Sequence, residues 1–398
     1  MDTRRYSLGS HGWYERLPGA PAVKAGELVF VAGQLALDTE LRAAHRGDVA
    51  AQGRAVLDSL AGLLEAAGGS LEDVVDVVSY HRDAREIAAV LEVARDYFPT
   101  DPPAWTPVAT TGLISPEAHV SVRAIAHLGD APKRCFPASW LEPYSISAAC
   151  MKGELLFVAG QTAVGGDGTM APPVDHVAQA RIAYARILEL AARAGATIDD
   201  ALDFASFHHD IRGAEPTFVE VYEPEVLGPV DPADAPTTSH IGMPALRQEG
   251  MLGAYRALFD LSPGGRAGYT PDSIWWKGVL PISGGVRKRG GRLLTIAGQV
   301  ACAADKTVVA PGDFEGQARY ILDCLGEIVA EAGGSLDDVV EVTSYHKEPR
   351  SWEVVAKVAR DYFDPGRGPA WTVAGASGLW WEGYLHEISA LAVLEDPA

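Results

Sequence analysis

The sequence predicts an α+β protein made of three copies of one β-α-β-α-β-β domain. Two short signatures each occur three times: a strand ending in Ala-Gly-Gln, and a Ser-aromatic-His motif downstream of it. Their glycines and histidines are Gly33, Gly160, Gly298, His81, His208 and His346. Both sets repeat at 127 and then 138 residues, so each copy spans the interval without a gap. A period of this length indicates whole domains rather than solenoid units.

Repeat 1, residues 1–130, shows the order of the elements. Residues 27–32 form a short apolar strand that ends at the signature glycine. Apolar residues at helical spacing follow from Asp48, and two glycines provide a stop. The remaining elements are a β-branched strand over 74–81, a helix over 83–98, and strands over 105–111 and 119–128.

Repeats 2 and 3, residues 131–262 and 263–398, contain the same elements in the same order. The distance from the histidine to the next matched strand is 30 residues in repeat 2, against 24 and 25 in repeats 1 and 3. We therefore expect an extended loop within 223–235, which is rich in proline and acidic residues. Linkers rich in turn-forming residues fall near 129–142 and 262–291.

The sheet face that the helices do not cover determines how the repeats assemble. Two helices can cover only one face, so the second face must be buried against another layer. Three copies in one chain provide that layer if their open faces pack together around a pseudo-threefold axis. We therefore expect a pseudo-trimer within one chain, present as a monomer or a homodimer.

Composition restricts the class of protein. The chain has 398 residues, a net charge of −20 and four cysteines without regular spacing. The negative charge disfavours nucleic acid as a partner, and no long apolar run predicts a membrane span. The cysteine pattern argues against a disulfide scaffold or a structural zinc site, and it is typical of a reducing compartment. We expect a soluble cytoplasmic protein without a membrane partner.

Several motifs in this chain resemble the Rid family, the RidA-like (YjgF) reactive-intermediate deaminases. They are Phe157-Val158-Ala159-Gly160-Gln161, the Pro-Ala-Trp segments, Glu387-Ile388-Ser389-Ala390, and Pro143-Tyr144-Ser145. The resemblance implies chorismate-mutase-like domains arranged as a trimer around a central barrel, with a ligand cleft at each interface. It also implies hydrolysis of imines and enamines, with an arginine that binds the substrate carboxylate and a glutamate that activates water.

The positions that carry this chemistry differ among the copies. The family arginine is replaced by Trp105, Thr238 and Trp371. The family glutamate is replaced by Ser121 and Ala254, and it is present only as Glu387. Glu387 is therefore the candidate general acid or base of a single productive cleft, because a half-buried glutamate can titrate near neutral pH. An exposed strand carboxylate is the alternative interpretation.

Four residues are candidates for binding a substrate. Arg123 and Arg256 lie two residues beyond the glutamate position, on the same strand face, and could replace the missing anion clamp. An ion pair that bridges two copies is the alternative. Trp105 and Trp371 offer flat apolar surfaces on which an aromatic ligand could stack. Packing at an interface explains them equally well.

The remaining candidates have a structural explanation beside the functional one. Tyr144 could donate a hydroxyl to a ligand, and Gly298-Gln299 could offer backbone N–H groups, although a glycine after a strand is often only a turn. The three equivalent histidines, His81, His208 and His346, could line clefts or bind a metal. A core histidine that hydrogen-bonds to the neighbouring serine is the commoner arrangement.

Together these observations predict an enzyme without cofactor or metal that acts on a small imine, enamine or enol-type intermediate with cyclic or aromatic character. Hydrolysis or deamination in a cleft between repeats is the expected reaction, with Glu387 transferring protons. Two alternatives remain open at this point. One is a chorismatase-like lyase or hydrolase, and the other is a metabolite-binding protein without catalysis.

Overall fold

The structure, a computed structural model, describes residues 3–138, 141, 144, 146–170, 175–364 and 366–395. In repeat 1 the strands are β1 (Thr3–Tyr6), β2 (Ala22–Ala25), β3 (Leu28–Gln34), β4 (Val74–His81), β5 (Ala104–Ala109) and β6 (Val120–His127). Its helices are α1 (Val49–Ala66) and α2 (Ile87–Tyr97).

The other two repeats have matching elements. In repeat 2 these are β7 (Arg134–Phe136), β8 (Ala149–Lys152), β9 (Leu155–Gln161), α3 (His176–Ala194), β10 (Ala201–His208), α4 (Ala214–Thr217), β11 (Thr237–Gly242) and β12 (Gly253–Asp260). In repeat 3 they are β13 (Arg266–Tyr269), β14 (Gly285–Lys288), β15 (Leu293–Gln299), α5 (Phe314–Glu331), β16 (Val339–His346), α6 (Trp352–Ala359), β17 (Ala370–Gly375) and β18 (His386–Val393).

Each repeat forms one six-stranded sheet with the same topology. In repeat 1 the spatial order is β1-β2-β3-β6-β4-β5, and repeats 2 and 3 have the equivalent order. The two strands that flank the second helix, β4 and β5, are parallel, and the other neighbouring strands are antiparallel. The predicted α+β fold is thereby confirmed. The strands that precede the core of each repeat were not predicted, because they have only three or four residues among turn-forming neighbours.

The helices cover one face of each sheet. In α1 the side chains of Val56, Leu57, Leu60 and Leu64 are completely buried, and the helix packs against β3 and β6. Asp48 caps its N-terminus by accepting a hydrogen bond from the Ala51 N–H, as the sequence pattern indicates. The opposite sheet face therefore needs cover from elsewhere in the chain.

The three repeats supply that cover to one another in a closed ring. Strand β5 packs against β9, β11 against β15, and β17 against β3, so every repeat contacts both of the others. At each of these three seams the signature glycine donates its N–H to a hydroxyl of the preceding repeat. The pairs are Gly160 to Thr106 at 2.8 Å, Gly298 to Ser239 at 3.0 Å, and Gly33 to Thr372 at 2.9 Å.

Equivalent contacts at all three seams give the assembly its pseudo-threefold arrangement. Backbone hydrogen bonds also cross each seam, for example from Gly242 N–H to the Gly378 carbonyl at 2.9 Å. The Tyr14 hydroxyl donates to the Trp371 carbonyl at 2.8 Å and accepts from the Trp371 N–H at 2.7 Å, which ties the first repeat to the last. The strands remain three separate sheets, so the continuous central barrel stays a prediction.

Two of the four cysteines form a disulfide that was not predicted from the sequence. Cys135 and Cys150 form a disulfide, whereas Cys302 and Cys324 are free and buried. The two bonded residues are direct cross-strand partners in the β7–β8 hairpin, a register that the sequence spacing does not reveal. The cytoplasmic location stays a prediction.

The second helical segment of repeat 2 extends into the region where the sequence predicts a loop. Helix α4 continues as a π-helix over Phe218–Leu227, which contains Pro224 and occupies the start of the expected loop. Such wide helical turns occur where a residue has been inserted into a helix. Within the described ranges, no helix has the length and apolar character needed to cross a membrane.

We expect the seam hydroxyls to contribute measurably to stability. Thr106→Val keeps the shape of the side chain but removes the acceptor of the Gly160 N–H, which should cost about 1–3 kcal/mol of unfolding free energy. Urea unfolding measures this loss. The exposed Thr100→Val is the matched control, and equal stability of the two variants would contradict the role of the seam bond.

Candidate active site

One cleft lies at the seam between repeats 2 and 3. It encloses about 480 Å³ of empty space, part of which is open to solvent. Strand β11 contributes Thr238, Ser239 and His240, and repeat 3 contributes Gly298 and Glu387. Aromatic side chains complete the wall: Trp275, Trp276, Trp380 and Tyr384.

Glu387 is the acidic residue in the lining of this cleft. The residue is 4% exposed, and among the described residues its side chain has no hydrogen-bond partner. Burial raises its pKa to about 8, so the group carries its proton at pH 7. A Cβ atom on Gly298 would lie 1.9 Å from Glu387 Oε1, so any larger residue at this position would displace the carboxyl group.

Four buried polar atoms of the cleft lining have no hydrogen-bond partner among the described residues. They are the indole N–H groups of Trp275 and Trp276, the Tyr384 hydroxyl and His240 Nε2. Trp380 packs against the His240 ring at 4.7 Å, and Trp275 packs against Trp381 at 4.8 Å. Because unpaired buried polar atoms are costly, these four groups are suited to bind polar atoms of a ligand.

His240 is a site residue that sequence reasoning missed. Its Nδ1 lies 2.7 Å from Ser206 Oγ, which in turn lies 2.8 Å from His208 Nε2. Burial lowers the pKa of His240 to about 3, so the imidazole is neutral. The sequence does contain a feature that could have identified His240. The equivalent positions in repeats 1 and 3 are Pro107 and Val373, so this histidine is specific to repeat 2.

Trp105 and Trp371 lie outside this cleft, in the cores of their own repeats. The Trp105 indole donates to Ser79 Oγ at 2.8 Å and packs edge-on against Phe98. Trp371 makes the equivalent bond to Ser344 at 2.9 Å. In repeat 2 the smaller Thr238 replaces the tryptophan, and His240 takes over the bond to the motif serine. This exchange makes room beside β11 at this seam.

The other two seams lack the carboxyl group. Ser121 lies beside Gly33 at the seam between repeats 3 and 1, and Ala254 lies beside Gly160 at the seam between repeats 1 and 2. Neither side chain can exchange a proton near neutral pH. Glu387 is therefore the single acid at the three equivalent positions.

Arg123 and Arg256 point to the interior of the ring, in ion pairs that cross seams. Arg123 donates to Glu341 at 2.7 Å, and Arg256 donates to Asp76 at 2.6 Å. Both arrangements match the bridging ion pair that the sequence left open. Both arginines lie on the same strand face as the glutamate position. A shift of two residues along the strand, however, moves a side chain from the cleft to the interior of the ring.

The three motif histidines are completely buried. Each lies 2.8–3.0 Å from the serine two residues before it, and burial lowers their pKa values, that of His81 to about 3. The described residues contain no group of three or more potential metal ligands among His, Cys, Asp and Glu. These histidines thus have the contacts of core residues.

The last candidates, Gly298-Gln299 and Tyr144, already have contacts within the protein. The Gln299 side chain donates to the Ala297 carbonyl at 2.9 Å, and the Gly298 N–H is already bonded to Ser239. Tyr144 packs under the guanidinium of Arg247, 4.4 Å from the ring centre. Its neighbours Pro143 and Ser145 lie outside the described residues.

Comparison with known proteins identifies the family. The endoribonuclease L-PSP model matches residues 18–128, 138–252 and 281–394, one match for each repeat. The chain belongs to the endoribonuclease L-PSP family. The resemblance to the Rid (YjgF) proteins is thereby confirmed, in a form in which this family's domain is present three times.

Individual members of the endoribonuclease L-PSP family resemble single repeats. The 3-aminoacrylate deaminase RutC of Acinetobacter baylyi is 40% identical over 111 residues, which are 28% of this chain and 87% of the relative. A RutC family protein of Pyrococcus horikoshii is 36% identical over 110 residues, 28% of this chain and 86% of the relative. A crystal structure of chorismatase matches 81% of this chain and 93% of its own, with a TM-score of 0.54 and 14% identity, which shows a shared fold.

The raised pKa of Glu387 predicts a pH-dependent cost to stability. The folded state holds a proton up to about pH 8, whereas an ordinary glutamate releases it near 4.5, so stability should fall as pH rises between these values. The Glu387→Gln variant has no titratable group at this position, so its stability should not show this decrease with pH. Its melting temperature relative to wild type should therefore increase from pH 5 to pH 8.

The matched control for this experiment is the exposed Glu353→Gln on α6. Its melting temperature should stay parallel to that of wild type over the same range. A constant difference between Glu387→Gln and wild type would contradict the buried, protonated carboxyl.

Proposed function

We propose that this protein is an enzyme that hydrolyses or deaminates a small imine, enamine or enol-type intermediate in the cleft between repeats 2 and 3, with Glu387 as general acid and base. The observation that carries the proposal is the buried carboxyl of Glu387, free of hydrogen bonds to the described residues and facing an aromatic cleft. Its pKa of about 8 suits proton transfer near neutral pH.

The chemistry on an enamine follows from the protonation state of this group. Protonated Glu387 delivers its proton to the β-carbon of the enamine, and the nitrogen lone pair forms the C=N bond of an iminium. The carboxylate that results then removes a proton from a water molecule as the water oxygen bonds to the iminium carbon. Collapse of the carbinolamine breaks the C–N bond and gives a carbonyl compound and ammonia, with Glu387 again able to shuttle the proton.

The lining of the cleft supports an uncharged cyclic or aromatic substrate. Aromatic side chains form much of its wall, and none of the described lining residues carries a positive charge at neutral pH. Aromatic pairs gain about 0.5–1.5 kcal/mol beyond burial of their area. The Trp276 N–H and His240 Nε2 could bind ring heteroatoms of such a substrate.

This substrate class differs from that of the named relative. 3-Aminoacrylate, which appears in the name of the Acinetobacter baylyi protein, carries a carboxylate. The family arginine expected to bind such a group is Thr238 here, and the two interior arginines are occupied by Glu341 and Asp76. The reaction class of the relative supports our proposal, whereas its substrate does not.

The two alternatives have less support. A chorismatase-like reaction would need cations in the cleft to bind carboxylates, and the match to chorismatase supports the fold alone. A binding protein without catalysis would not need a protonated carboxyl, which costs stability at pH 7 and above. We further propose that the protein acts as a cytoplasmic, single-chain pseudo-trimer with a small molecule, rather than nucleic acid, as its partner.

The role of Glu387 predicts a large loss of rate with retained binding. Glu387→Gln should lower kcat by a factor of about 10²–10⁴, the usual worth of a general acid or base. The rate of ammonia release from imines generated in situ measures this. In wild type, kcat/KM should fall above pH 8, because the proton that starts the reaction is lost.

The exposed Glu353→Gln again serves as the control and should retain wild-type rates. A loss below tenfold in Glu387→Gln, with unchanged ligand affinity, would count against catalysis by this group and favour the binding-protein alternative.

The missing anion clamp predicts substrate preference. Wild type should hydrolyse the uncharged imine formed by oxidation of benzylamine with higher kcat/KM than the carboxylated imine formed by oxidation of alanine. Thr238→Arg restores a guanidinium at the family position and should shift this ratio about tenfold or more toward the carboxylated imine. Thr238→Gln, which has length but no charge, is the control. An unchanged ratio in Thr238→Arg would contradict the assignment of this position.

A further inference from the structure

A second cavity lies where the three repeats meet, and it borders the Glu387 cleft at Ser239. Its cavity volume is about 70 Å³, within about 710 Å³ of non-atom space that includes open solvent, and it is lined by side chains from all three repeats. Its charged lining residues are Arg123, Arg256, Asp203 and Glu341. We call this space the axial cavity. The chemistry proposed for Glu387 uses none of these groups.

Charged positions around the axial cavity follow the pseudo-threefold pattern. Asp76, Asp203 and Glu341 are equivalent residues of β4, β10 and β16. In two of the three cases an arginine of the following repeat binds the carboxylate. Arg256 of repeat 2 pairs with Asp76 of repeat 1 at 2.6 Å, and Arg123 of repeat 1 pairs with Glu341 of repeat 3 at 2.7 Å.

The third case lacks its arginine. Ser389 occupies the position equivalent to Arg123 and Arg256, and it lines the axial cavity together with Asp203. Asp203 accepts a hydrogen bond from the Thr237 hydroxyl at 2.7 Å. Three carboxylates thus share two guanidiniums. Asp203 is partly buried and has no ion pair among the described residues, and a carboxylate in such a place favours a nearby cation or a proton.

A second observation points to a ligand in the same space. Glu341 lines the cavity with its side chain 5% exposed, and its Oε2 atom is buried without a hydrogen-bond partner among the described residues. Its other oxygen is bonded to Arg123. The cavity lining therefore includes an acceptor that the described residues leave unused, in the same cavity as Asp203.

We propose that the axial cavity is a binding site for a ligand with a guanidinium head group, which takes the place of the missing third arginine opposite Asp203. The two equivalent positions hold a guanidinium against a carboxylate, so a guanidinium is also the group that suits the position opposite Asp203. The described residues provide no cluster of three metal-ligating side chains, which favours an organic cation over a metal ion.

Thermal unfolding in the presence of guanidinium tests this proposal. At pH 7.5 and constant ionic strength, millimolar guanidinium chloride should raise the melting temperature by roughly 2 °C or more, with saturation, because it binds only the folded state. Urea, the neutral molecule of the same shape, should give no rise, and methylammonium a smaller one. A response that does not saturate, or one that methylammonium equals, would overturn the proposal.

Three variants locate the effect. Asp203→Asn removes the unpaired charge and Ser389→Arg supplies the third guanidinium, so both should abolish the response. Ser389→Ala leaves the vacancy and should retain it. If Ser389→Arg does not fold because the cavity is too narrow, Asp203→Asn decides the question, and a full response in that variant refutes the site. The readout is independent of catalysis at Glu387.

Discussion

Burial of the open sheet faces is the constraint on which this molecule depends. Each repeat has helices on one side of its sheet only, and the other side is buried solely because the three repeats close into a ring. At each seam one hydroxyl binds the N–H of a signature glycine. At one seam that glycine lies against the Glu387 carboxyl, so the environment that raises the pKa of this group exists only when the ring is closed.

Fusion of the repeats allows the seams to differ while the ring stays intact. In repeats 1 and 3 a tryptophan indole satisfies the motif serine and fills the core. In repeat 2 the imidazole of His240 satisfies the serine instead, and the space left by the smaller Thr238 belongs to the cleft. The same hydrogen-bonding requirement is thus met in two ways, one of which leaves an opening. A related difference at Ser389 leaves the axial cavity with three carboxylates and only two guanidiniums.

Much of the fold could be predicted from the sequence, because equal spacing of two signatures fixes the repeats and helical periodicity fixes their elements. Glu387 could be singled out because its counterparts, Ser121 and Ala254, cannot exchange a proton near neutral pH. The direction of the Trp105 and Trp371 indoles was not predictable from the sequence, since it depends on the hydrogen bond that each indole donates to the motif serine. The interior position of Arg123 was equally hidden, because a shared strand face does not show where along the strand a cleft ends. The Cys135–Cys150 bond needed the register of a hairpin too short to recognise.

The hydrogen bonds between Tyr14 and the backbone of Trp371 join parts of the chain that are separated by almost its whole length. During synthesis on a ribosome, repeats 1 and 2 can form and associate while the remainder is still being made, but the ring stays open. Until residue 371 and β18 emerge, the first repeat exposes an apolar face with no permanent partner. The carboxyl group of Glu387 on β18 is made after both other repeats. Completion of the ring and assembly of the Glu387 cleft therefore coincide with synthesis of β17 and β18, and before that the open sheet face is prone to associate with other chains.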